Sequence, residues 1–78
     1  MENTFIGVVP LSDYTLKFYL TDGSVRIFDV KPYLDKGDFI VLKNIDIFNT
    51  VFLDHLDGVC WDYKNISLSK DTIVAHMH

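Results

Sequence analysis

Apolar residues alternate with polar ones through the first third of this chain and then lose that period. From Tyr14 to Val30 the run YTLKFYLTDGSVRIFDV carries apolar side chains at every second position up to Asp22-Gly23, and the alternation resumes beyond it. Successive side chains of a strand point to opposite faces, so the pattern predicts two antiparallel strands. Asp-Gly between them predicts a hairpin, because both residues tolerate the positive φ of a two-residue type I′ turn. With Asp22 and Gly23 as the turn, Leu20 pairs with Val25, Tyr19 with Arg26, Phe18 with Ile27 and Lys17 with Phe28. Leu16, Phe18, Leu20, Val25 and Ile27 then form the core face, while Lys17, Tyr19, Thr21, Ser24 and Arg26 face water.

Upstream, the β-branched run FIGVVPL predicts a third antiparallel strand beside Tyr14 to Leu20, with Ser12-Asp13 as the turn and Pro10 at a strand end or free edge. Downstream, KPYLDKGDF places Pro32 where a first helical residue belongs and Gly37 where a short helix would stop, which predicts a helical turn over Pro32 to Asp35. The stretch IVLKNIDIFNT mixes helix-like spacing at Leu42, Ile45 and Phe48 with strand-preferring Ile40 and Val41, and a short helical turn is expected near Asp46 to Asn49. In VFLDHLDGVCWDY a second strand, Asp57-Gly58, strand unit follows. Ser69 is placed to cap a last helical turn over Lys70 to Ala75, with Asp71 favourable at its start. The expected fold is α+β: a small single domain over residues 1–78 built of antiparallel hairpins, about five strands, with short helical turns between the hairpins and at the C-terminus.

Composition sharpens this picture. At 49% hydrophobic and 14% aromatic the chain is too rich in core-forming residues for disorder. All acidic residues but Glu2 are aspartates, which favour turns and caps over helix interiors. The formal net charge of −4 lacks the basic footprint that draws nucleic acid or an anionic membrane. No apolar run approaches the roughly 18 residues of a membrane-spanning helix. One cysteine excludes an internal disulfide, and MENTFIGVV lacks a secretory signal's basic and apolar regions, so the reducing cytoplasm is the expected compartment.

The order VVPLSDYTLKFYLTDGSVRIFDVKPYL, LKNIDIFNTVFLD, GVCWDYKNISLS resembles the bacterial family of unknown function DUF2442. Its members run V-x-P, D-Y-x-L, D-G, F-D-V-x-P, L, F, V and W-x-x-x-x-(I/L)-S, and the match spans about Val9 to Ser69. The resemblance implies a compact α+β fold with antiparallel hairpins, found alone or joined to a helix-turn-helix domain. It also implies an accessory role, some members being encoded beside another small protein in a layout like that of toxin–antitoxin pairs. It carries no catalytic residues over. Lys64-Asn65 stands where many members have Gly or Asp, and no DNA-binding extension is expected here.

Candidate chemistry is sparse. With Asp57 and Gly58 as a two-residue turn, His55 lies opposite Cys60, an arrangement able to form a thiolate–imidazolium nucleophile. A lone hairpin supplies neither an orienting third group nor an oxyanion site, so no catalytic set is assigned and the protein is not expected to be an enzyme. A metal site would need His55 and Cys60 joined by His76 and His78 of the tail, and neither a metal nor another cofactor is assigned. Trp61 with Phe52 and Tyr63 reads as core. The candidate interaction face is Lys17, Tyr19, Arg26 and Phe28, whose mix of Tyr, Arg and an apolar residue matches interface composition. The leading expectation is therefore an interaction or accessory module, antitoxin-like, with a protein partner or a second copy docking on this face or on an exposed sheet edge. The alternatives are a nucleic-acid-associated regulator using the hairpin's basic face, and a small enzyme or metal site at His55 and Cys60.

Overall fold

The computed structural model describes residues 4–55, 58–63 and 66–77. Two three-stranded antiparallel sheets hold its strands: β1 (Phe5–Pro10), β2 (Thr15–Leu20) and β3 (Val25–Asp29) in the first, β4 (Phe52–Leu53), β5 (Val59–Cys60) and β6 (Ser67–Leu68) in the second. The described residues thus contain six strands rather than about five. Between the sheets lie 3-10 helices over Lys31–Tyr33 and Gly37–Lys43 and a single α turn, α1 (Ile45–Phe48); α2 (Lys70–His76) closes the chain. None of the described helices is long and apolar enough to cross a membrane.

The first hairpin forms where the alternation places it, but one residue out of the expected register. Leu16 lies opposite Phe28, Lys17 opposite Ile27, Phe18 opposite Arg26 and Tyr19 opposite Val25. Leu20 N–H donates to Ser24 C=O, and Gly23 N–H to Leu20 C=O, which closes a loop of three residues, Thr21 to Gly23. Gly23 has φ +87° whereas Asp22 stays outside the left-handed region, so the turn is type I followed by a left-handed glycine and not type I′. Asp22 completes it by accepting from the Ser24 amide and hydroxyl at 2.8 and 2.6 Å. One residue of register inverts a strand. Phe28 is accordingly fully buried and Val25 is 40% exposed, the reverse of the expected faces.

The β1–β2 turn repeats the same geometry with a different residue. Leu11 N–H donates to Thr15 C=O and Tyr14 N–H to Leu11 C=O, while Tyr14 itself has φ +63°. A tyrosine here is costly, of the order of 1–2 kcal/mol. Tertiary contacts offset it: the Tyr14 ring meets Phe48 edge-on at 5.3 Å and its hydroxyl donates to the Lys43 carbonyl.

Beyond β3, Pro32 opens a 3-10 turn as expected, although it spans Lys31–Tyr33. Phe39, Leu42, Ile45 and Phe48 recur every third position, the period of a 3-10 helix, and Leu42 and Phe48 are fully buried. Asn44 starts α1 one residue earlier than expected, its side chain accepting from Asp46 N–H at 3.1 Å. Ser69 caps α2 as the sequence predicts, accepting from Thr72 N–H at 3.3 Å. One core unites these elements, with Leu16, Phe18, Phe28, Phe48, Trp61 and Ile73 at its centre. Trp61 donates its indole N–H to the Phe48 carbonyl at 2.9 Å. Its expected companions Phe52 and Tyr63 are instead 48% and 40% exposed.

Candidate functional site

The expected interaction face does not exist as a single surface. Lys17 and Tyr19 share the outer face of the first sheet, and the Lys17 ammonium lies 5.4 Å from the Tyr19 ring centroid. Arg26, in register with Phe18, belongs to the other side, where it is exposed at the sheet margin and donates to the carbonyl of Val25. Phe28 is buried and stacks on Tyr33 at 5.8 Å. The three-residue turn is the cause of both corrections. What joins Lys17 and Tyr19 instead is apolar: Val9 opposite Lys17 on one side and Ile27 on the other, with Val25 opposite Tyr19. Across from Tyr19 on β1 stands Gly7, where a Cβ would lie 3.5 Å from the tyrosine ring, so the ring leans on bare backbone. Val9 and Val25 are each 40% exposed and Tyr19 37%. An open face of an antiparallel sheet is ordinarily polar, and this one is not. Taking the bulky Phe28, rather than Val25, as an inward residue would have found it.

The sheet edges are less available than expected. β1 carries a register irregularity between Phe5 and Gly7 and ends in Pro10, both of which discourage strand addition. On β3 the core-side position between Ser24 and Phe28 holds the charge of Arg26, another such device, and α2 packs near this strand.

Nor does the second hairpin set His55 beside Cys60. Phe52 lies opposite Cys60 and Leu53 opposite Val59, while Asp54 N–H donates to Gly58 C=O. Gly58 therefore belongs to the ladder and not to the turn; Asp57, its expected partner there, lies outside the described residues. The neighbour that Cys60 acquires is a carboxylate. Asp54 Oδ1 accepts from Gly58 N–H at 2.9 Å and Oδ2 accepts from the Cys60 thiol at 3.6 Å. Burial, then the hydrogen bond and negative charge of Asp54, push the Cys60 pKa up. That favours the thiol over the thiolate, the opposite of what a cysteine nucleophile requires. His55 is exposed, and His78 lies outside the described residues. Among the described residues no three His, Cys, Asp or Glu side chains converge as metal ligands.

An open groove of about 520 Å³ runs between the Asp29–Tyr33 corner and the end of α2, lined also by Lys36, His76 and Met77. Its polar groups disagree. Lys36 and His76 would favour an anion, whereas Asp29 and the carbonyl end of α2 favour a cation. Asp29 is engaged by Lys31, whose ammonium lies at 3.2 Å and whose backbone N–H donates at 2.9 Å.

Comparison with curated proteins and with solved structures finds no match. A family model, by contrast, matches nearly the whole chain, residues 5–78, and it extends beyond both ends of the region in which the motifs lie. The chain therefore belongs to the family described as protein of unknown function, DUF2442.

Proposed function

We propose that this chain is a protein-interaction module, the accessory member of a two-protein system, that docks through the outer face of its first sheet. The observation that carries the reading is the apolar character of that face: Val9, Tyr19 and Val25, with Ile6 at the β1 irregularity 65% exposed, cover a surface that an isolated sheet would fill with polar residues. A binding role rather than a catalytic one also agrees with the protonated thiol that Asp54 favours at Cys60. The nucleic-acid alternative loses its support, because Lys17 and Arg26 stand on opposite faces and the net charge is −4.

The test is affinity capture from the native cell with two baits, the natural chain and Val25→Glu. Val25 is exposed on an edge strand, so the substitution leaves the core intact. A stoichiometric protein held by the natural chain and released by Val25→Glu is the expected result. A chain without any partner, or one held equally by both baits, would remove the reading.

A further inference from the structure

Resting on that reading, we infer that the occupant of the outer face is a different protein, whose apolar surface carries a carboxylate opposite Lys17, and that Lys17 itself keeps a second copy of this chain off the face. Lys17 lies on the middle strand between Val9 and Ile27, so it sits within the apolar patch and not at its rim. Its ammonium is directed along the strand over the Tyr19 ring, and among the described residues it has no carboxylate partner. The other charges at this face gather at its far end, where Asp29 holds both the Lys31 ammonium and the Lys31 amide and Asp13 accepts from the Thr15 hydroxyl, with the Lys31 ammonium against the Asp13 backbone carbonyl.

Covering the patch desolvates Lys17. An ammonium removed from water without an opposite charge is expensive, and one facing a like charge is more so. Two copies stacked face to face about a two-fold axis through the centre of the patch bring their Lys17 side chains toward each other, with each Asp29 and Asp13 already engaged at the far end. A partner with an apolar surface and one carboxylate offsets the desolvation of Lys17 by pairing with it, and such pairing governs which proteins associate more than how tightly.

The experiment uses Lys17→Glu of this same chain as the carboxylate-bearing surface. Lys17 is partly exposed and outside the core, so both forms fold. The natural chain alone and Lys17→Glu alone are expected to sediment as monomers up to millimolar concentration. Mixed in equal amounts they form a one-to-one complex, with amide resonances of Val9, Tyr19 and Val25 shifting saturably. Adding Val25→Arg to either partner is expected to weaken that complex at least tenfold. Dimerisation of the natural chain through this face, or a mixture in which Val9, Tyr19 and Val25 do not shift, would overturn the inference. Neither result would touch the broader reading, which stands or falls on capture by the natural chain and its loss in Val25→Glu.

Discussion

Two Asp-Gly pairs, Asp22-Gly23 and Asp57-Gly58, look alike in the sequence, yet the two glycines are required for unrelated reasons. Gly23 sits in the turn at φ +87° with nothing within 4 Å of where a Cβ would stand. Gly58 is outside the left-handed region, and a Cβ there would lie 2.5 Å from the Leu68 carbonyl oxygen. The first glycine answers a local demand of backbone geometry. The second answers a tertiary one, the close passage of β6. The aspartates differ in the same way. Asp22 bonds to Ser24, two residues on, whereas the carboxylate serving the second hairpin is Asp54, which reaches Gly58 and Cys60.

Substitution separates these demands. Gly58→Ala is expected to have the largest effect, about 3 kcal/mol, because overpacking against backbone forces the strand itself to move. Urea denaturation should place its midpoint far below that of the natural chain, and Gly58→Asn should do no better. Next comes Asp54→Ala, which leaves the buried Gly58 amide without its acceptor and should cost about 2 kcal/mol by the same measurement. Gly23→Ala should cost about 1.5 kcal/mol for the left-handed backbone, and here Asn should recover much of the loss, since it tolerates that conformation. Equal response of Gly23 and Gly58 to Asn would break the comparison. Asp22→Ala, losing exposed bonds within one turn, should cost about 0.5 kcal/mol.

The smallest effect is one of pH. With its pKa raised in the fold, Cys60 contributes stability that is present below the ordinary thiol value and lost as pH rises through the folded one. Iodoacetamide should accordingly modify Cys60 more slowly at pH 8 in the native chain than in urea, and Asp54→Asn should narrow that gap. Equal rates in the native and unfolded chains would show that Asp54 does not restrain the thiol.

Much of the candidate site was within reach of the sequence, but not its composition. Tyr19 and Lys17 share a face because any β-strand puts residues two apart on one side. Which residues of β3 joined them depended on whether the loop held two residues or three, and Asp-Gly is compatible with both. At the second hairpin the available strand signal was shorter still: β4, β5 and β6 are two residues each, so pairing is set by what packs around them rather than by alternation.

By itself, then, the sequence determined the elements whose causes lie within a few residues: the three long strands, the proline-led turn after Val30 and the Ser69 cap. Tertiary structure decided the register of β3, the left-handed Tyr14 held by Phe48 and Lys43, and the pairing of Cys60 with Asp54 instead of His55. Local backbone preferences act over one turn, whereas these outcomes rest on contacts between segments that meet only once the chain has closed around its core.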